Sequence, residues 1–202
     1  MSRLQKGERK YKFEREDVIR KPELDSILRQ AGSIQIYGLS GNAWQALVAI
    51  LWLFGKRIGE VVNLKFSDVF TTNSELCIRF KVLKKESRKD SGVRKTFTKR
   101  ITLENEYVPF VLDYWDSIKH LEGFMFPHSQ TPTGHIYRQY AWSVLKSLKP
   151  DISYHQFRHS LATHMAEDGA SADELVSWFD WDGTDTALEY VKRGGGSHGE
   201  VE

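Results

Sequence analysis

A single cysteine, Cys77, stands in a chain of 202 residues, which excludes an internal disulfide framework and a cysteine-rich zinc site. Long apolar runs are missing too. The longest, Ala43 to Phe54, is interrupted by Gln45 and is too short to span a bilayer. The N-terminus is charged from Arg3 onward and lacks the apolar stretch of a secretory signal. The expectation is a soluble, intracellular protein. What is present is core-forming material: 40% apolar residues, with 11 Phe, 8 Tyr and 6 Trp, exclude a wholly disordered chain. The length makes room for one domain of ordinary size, or two small ones.

The formal net charge of +2 says nothing by itself about partners, but its distribution does. Between Lys84 and Arg100, eight Lys or Arg face only Glu86 and Asp90, a local charge of +6. From Ala166 to Glu202, ten acids face two bases, a local charge of −8. A basic surface of this kind suits phosphate, although either run taken alone is equally well read as a solvated face.

Pro22 suits a first helical turn, and Leu24, Ile27, Leu28 and Ala31 follow at helical spacing up to Gly32. Residues 42–54 are apolar nearly all round and predict a buried helix, punctuated by Gly55. A short helix over 57–63 follows. Residues 75–83 alternate Leu76, Ile78, Phe80 and Val82 with Glu75, Cys77, Arg79 and Lys81, the pattern of a strand, and 95–103 resembles its partner. The turn signal Asp90-Ser91-Gly92 between them places the basic cluster on the tip and flanks of a β-hairpin. Helices are expected at 106–121, 135–148, 155–167, 172–179 and 185–192, with a short buried segment at 124–127 and a Ser171/Glu174 capping box. The expected fold class is mainly α with a small antiparallel β-hairpin.

His155, Arg158 and His159 stand at i, i+3 and i+4 and share a helix face next to the apolar Phe157, Leu161 and Met165. The start of such a helix also favours anions. Arg57 follows the buried helix directly and needs a partner or a ligand, and Glu60 lies within reach to orient it. A solvated amphipathic helix and a simple Arg–Glu pair are the plainer readings of each taken alone. Tyr190, nine residues after Trp181, reads by itself as a packing residue with a wet hydroxyl. A metal site fits poorly: His155 and His159 lack a soft third ligand, and Gln156 stands where an HExxH motif needs glutamate.

In combination, Leu53-Phe54-Gly55-Lys56-Arg57-Ile58-Gly59-Glu60-Val61, the box His155-Gln156-Phe157-Arg158-His159, and the Trp181–Tyr190 spacing resemble the tyrosine recombinase (integrase) family. The similarity covers roughly residues 22 to 192 and keeps the order of the family's Arg, hairpin Lys, HxxR, His or Trp, and Tyr. It implies the tyrosine recombinase catalytic-domain fold over residues 21–193, after a basic N-terminal arm or linker remnant at 1–20 and before a flexible tail at 194–202. It also implies a site-specific DNA recombinase or integrase, as a catalytic-domain fragment or a minimal enzyme, that cuts and rejoins DNA through a 3′-phosphotyrosyl intermediate. A type IB topoisomerase-like nicking and closing activity, or a catalytically silent DNA-binding protein of the same fold, are the alternatives.

Carried over residue by residue, the resemblance makes Tyr190 the nucleophile and Arg57 and Arg158 the clamp on the scissile phosphate. Only guanidinium offers two parallel donors that stay charged. His155 would give acid–base support. Trp181 would bind phosphate or pack, since indole donates one hydrogen bond and shuttles no proton. Glu60 would hold Arg57, and His159 would support the site from behind. Lys85, chosen over Lys84 for its distance to the turn at Gly92, would protonate the leaving 5′-oxygen. Lys84, Arg88, Lys89, Arg94 and Lys95 would contact DNA phosphates. The acidic stretch at Asp180, Asp182 and Asp185 is expected to shield the nucleophile's helix before DNA arrives. No cofactor and no metal are implied. The implied partner is double-stranded DNA, with a tetramer formed on DNA, a monomer when free, no membrane, and a cytoplasmic, nucleoid-associated location.

Overall fold

The computed structural model describes residues 18–81, 96–119, 121–153 and 155–194. Among the described residues eight α-helices and three strands follow one another: α1 (Lys21–Ala31), α2 (Gly41–Phe54), α3 (Ile58–Val62), β1 (Val69–Thr71), β2 (Glu75–Lys81), β3 (Thr96–Thr102), α4 (Val108–Ile118), α5 (Arg138–Leu148), α6 (Gln156–Glu167), α7 (Ala172–Phe179) and α8 (Asp185–Gly194). Among the described residues no helix is long and apolar enough to cross a membrane.

The apolar run at 41–54 becomes the central helix. Trp44, Leu47, Ile50 and Phe54 are fully buried, and α1, α4 and α6 all pack on α2. Each such side chain contributes about 1.5–3 kcal/mol. The Ser40 hydroxyl caps its start, accepting from the Ala43 amide. Gly55 ends it at φ 56°, and a Cβ there would lie 2.6 Å from the Phe179 ring, so glycine is required for both conformation and closeness. The backbone thus turns sharply and delivers Lys56 and Arg57 at the mouth of the helix.

The three strands form an antiparallel sheet in the order β1-β2-β3, with Ile78 opposite Lys99 and Phe80 opposite Phe97. Leu76, Ile78 and Phe80 enter the core as the alternation predicts. Cys77, expected on the polar face, is buried as well. It sits on the middle strand between Phe70 and Arg100, and Arg79 lies over the Phe70 ring, so that its neighbours cover it. The expected basic tip, with Lys84, Lys85, Arg88, Lys89, Arg94 and Lys95, lies outside the described residues. Lys99, counted with that basic cluster in the sequence, turns inward from β3.

Two expectations change at the ends of the domain. The boundary expected after residue 20 moves back: Val18 and Ile19 are buried, the Ile19 amide donates to the Ser160 hydroxyl (2.8 Å), and Arg20 pairs with Glu167. Gly194, expected to break the last helix, instead closes α8. A Cβ there would come within 2.6 Å of the Ala166 carbonyl oxygen, so its lack of a side chain lets α8 seat against α6. The polar residues of α6 are buried, with Gln156, Arg158, His159 and Ser160 all inside. Buried polar groups persist when bonded, and here the Ser160 hydroxyl donates to the Gln156 carbonyl, the Gln156 side-chain oxygen accepts from the Ser153 amide (3.1 Å), and Arg158 and His159 find partners described below. A small apolar cluster of Ala162, Ala166, Leu175, Phe179 and Ala187 joins α6, α7 and α8 beside the main core. Arg158, His159, Trp181 and Tyr190 lie along this junction.

Candidate active site

Arg57 is the residue at which the chain leaves α2 and enters α3. Glu60, on the first turn of α3, accepts from the Arg57 backbone amide (3.1 Å) and from its guanidinium (3.3 Å). The carboxylate is 7% exposed and the arginine side chain 47%, so a fixed anchor presents a cation to solvent.

Arg158 is held differently. Its residue is 8% exposed, and its two terminal nitrogens donate to the Gly55 carbonyl (3.1 Å) and to the Phe179 carbonyl. The guanidinium also lies 4.9 Å from the Phe179 ring and 5.7 Å from the Trp181 ring. Burial, reinforced by Arg57, pushes its pKa down to about 10, while Glu60 and Asp180 oppose the shift. It therefore remains a cation at neutral pH. Arg57, Arg158, Glu60 and Trp181 line one cavity of about 300 Å³, together with Asp182, Asp185 and Thr186 from the loop and helix that follow.

His155 caps α6 near both arginines. Partial burial, then the Arg57 and Arg158 charges, hold its imidazole below the ordinary value, so that it is neutral at pH 7.

Tyr190 projects from α8 and stacks on Trp181 with ring centres 5.6 Å apart and planes 11° apart. Trp181 in turn stacks on Phe179 at 4.9 Å. The phenol hydroxyl is 3.0 Å from Nδ1 of His159. Burial raises its pKa, against the Arg158 and Arg193 charges. Its hydroxyl side opens to a separate small niche lined by Val18, His159, Thr163 and Arg193. The fold therefore brings Arg57, Arg158 and Trp181 to one cavity, sets His155 within the field of both arginines, and puts Tyr190 next door, across the Trp181 ring. His159, placed behind the site by the sequence, touches the tyrosine hydroxyl itself. Lys85 and the hairpin bases lie outside the described residues.

Sequence reasoning gave no role to Lys56 or Lys99 and a different one to Asp180. Lys56 is 4% exposed and donates to Asp180 (2.5 Å), and Lys99 donates to the other Asp180 oxygen (3.2 Å) and to the Ser177 carbonyl (2.6 Å). Asp180 was expected to shield the nucleophile's helix with its charge. Its carboxylate instead turns to two lysines inside the fold. A signal existed: a lysine set between the apolar end of one helix and a turn, and an aspartate following Trp178-Phe179, are charges in apolar settings that need each other. Among the described residues, no three His, Cys, Asp or Glu side chains gather as metal ligands do.

Comparison with known proteins accords with this geometry. The tyrosine recombinase XerD of Listeria innocua is 27% identical over 174 residues, covering 81% of this chain and 54% of that protein. The solved XerA recombinase superposes with a TM-score of 0.64 at 17% identity, over 92% of this chain and 64% of that one. The XerH site-specific recombinase bound to its difH substrate, in a pre-cleavage complex, gives 0.63 at 16% identity, over 91% and 53%. The chain spans about half the length of the curated relatives it matches. The family model described as the phage integrase family matches residues 18–194. This chain belongs to the phage integrase family, the tyrosine recombinases.

Proposed function

We propose that this chain performs site-specific DNA strand transfer on double-stranded DNA, with Tyr190 as nucleophile. The observation that carries the reading is the pairing of two guanidiniums, Arg57 and Arg158, in one cavity walled by Trp181, with the Tyr190 ring stacked on that same indole. A phosphodiester seated between the arginines would have its non-bridging oxygens neutralised by charges already in place, the arrangement that stabilises a phosphorane-like transition state.

In the cleavage step the Tyr190 oxygen bonds to phosphorus and the bond from phosphorus to the 5′-oxygen breaks. The phenol first loses its proton, and His159 Nδ1, at 3.0 Å, is the nearest acceptor. The leaving 5′-oxygen takes a proton from Lys85. His155, kept neutral beside the arginines, donates a hydrogen bond to the phosphate. Joining is the reverse, a 5′-hydroxyl displacing the tyrosine, so the bond energy is stored without an external source. Lys84, Arg88, Lys89, Arg94 and Lys95 of the basic stretch carry affinity for the DNA backbone. Assembly into a tetramer on DNA from free monomers, and action in the cytoplasm, belong to the same reading.

The test is covalent capture. A labelled pool of nicked duplexes with randomised flanks traps the intermediate by losing the 5′-end needed for rejoining. The expected result is a protein–DNA adduct with wild type and none with Tyr190→Phe, at equal gel-shift affinity. Equal gel shifts with no adduct from either would overturn the enzyme reading in favour of a binding protein.

A further inference from the structure

Asp180 occupies an unusual place. It ends α7 in the left-handed conformation at φ 53°, which side chains other than glycine adopt sparingly and which aspartate tolerates better than most. Its carboxylate spans Lys56 and Lys99, whose side chains are 3% and 11% exposed. The neighbours in sequence are the informative part. Lys56 follows Gly55, and Asp180 follows Phe179. Arg158 donates to the carbonyls of Gly55 and Phe179. The dipeptides 55–56 and 179–180 are thus bridged twice, once through the Arg158 guanidinium and once through the Lys56–Asp180 pair. The two bridges close a ring around the buried arginine. Lys99 ties this ring to β3, the strand that follows the basic stretch directly in the sequence, and fastens the last turn of α7 through the Ser177 carbonyl.

We propose that Asp180 is a positioning residue: through Lys56 and Lys99 it fixes the backbone that orients Arg158 and Trp181, and so couples the strand leading from the basic hairpin to the phosphate clamp. A shift of β3 on DNA engagement reaches the clamp through Lys99 and Asp180. Without the carboxylate, the buried Lys56 and Lys99 repel one another beside Arg158, and Glu60, already bonded to Arg57, is the acid left to offset them. The α7 end then relaxes and the Phe179 carbonyl drifts from the guanidinium. Small displacements of such a group cost large factors in rate. The rate consequence rests on the strand-transfer reading; the consequence for Arg158 does not.

The test compares Asp180→Asn, Lys99→Met and their combination. Three quantities are read: single-turnover adduct formation at saturating DNA, DNA affinity by gel shift, and the ¹⁵N-detected Arg158 side-chain signal, assigned by its loss in Arg158→Lys. Each single variant is expected to slow cleavage on the order of tenfold or more. Affinity should stay near wild type, the double variant should be no slower than Asp180→Asn alone, and rotation about the Arg158 guanidinium should speed up. Lys99→Arg should recover most of what Lys99→Met loses. Wild-type rate in Lys99→Met, losses that multiply in the double variant, or an unchanged Arg158 signal in the single variants would each overturn the proposal. If Asp180→Asn does not fold, Lys99→Met leaves the buried Lys56–Asp180 pair intact and decides alone. If wild type forms no adduct, the strand-transfer reading fails and the Arg158 signal still decides on Asp180.

Discussion

The Tyr190 hydroxyl and the Nδ1 of His159 are hydrogen-bonded at 3.0 Å, one helix face away from the cavity that holds the two arginines. The nucleophile of the proposed reaction thus rests against an imidazole, with burial holding its phenol above the ordinary value. Removing the imidazole leaves that proton without its nearest acceptor. His159→Ala is expected to slow adduct formation near pH 7 by about 10²-fold or more, with the loss shrinking as pH rises and hydroxide replaces the missing base. Adduct rates between pH 6.5 and 9.5 check this. A loss independent of pH would assign His159 to packing alone.

The two arginines should separate cleanly. Arg57 is half exposed and fixed by Glu60, whereas Arg158 is buried and bonded to two backbone carbonyls from distant parts of the chain. Lysine cannot make the second arrangement, because it lacks the planar fork. Both Arg57→Lys and Arg158→Lys should cut cleavage on the order of 10²–10³-fold. Only Arg158→Lys should lower the thermal midpoint, by several degrees, as differential scanning calorimetry of both variants would read.

His155 sits below the ordinary imidazole value because burial and the two guanidiniums disfavour its charged form. Cleavage that depends on neutral His155 should therefore decline at a lower pH than an ordinary imidazole would set. The same direction applies to stability. A histidine kept neutral by the fold supports the native state fully above its unfolded pKa, and that support is lost as pH falls. His155→Gln should flatten the acid limb of the pH–rate profile.

Tyr114 offers a test of the core far from the site. Its hydroxyl donates to the Met125 carbonyl at 2.6 Å, and burial pushes its pKa up to about 12. The unfolded chain ionises near 10, so the native state gains fully below that and loses the gain as pH climbs from 10 to 12. Two units correspond to about 3 kcal/mol at most. Urea unfolding across that range should show a steeper alkaline loss for wild type than for Tyr114→Phe, which has no proton to lose.

Much of this was legible from the residues. The all-apolar stretch at 41–54 could only be an interior helix, and alternation in 75–81 could only be a strand. Arg57 with Glu60, and Arg158 with His155, could be set on shared surfaces by helical spacing. Contacts between elements distant in sequence were another matter. Nothing in the spacing of α6 says that Ser160 meets Ile19, or that Arg158 spends its donors on Gly55 and Phe179. Helical periodicity reports which residues share a face; it does not report what that face meets. For the same reason the elements that cover Arg158, His159 and Ser160 could not be named from the spacing alone. Asp180 looked like surface charge because its two lysines lie 124 and 81 positions away.

The lead-in at Val18–Arg20 has a mechanical consequence. Ile19 is tied to α6 at its amide by Ser160 and at its carbonyl by His164, and Val18 walls the niche that receives the Tyr190 hydroxyl. The first and last described segments therefore both seat on α6. A displacement of Val18 bears directly on the wall beside the phenol.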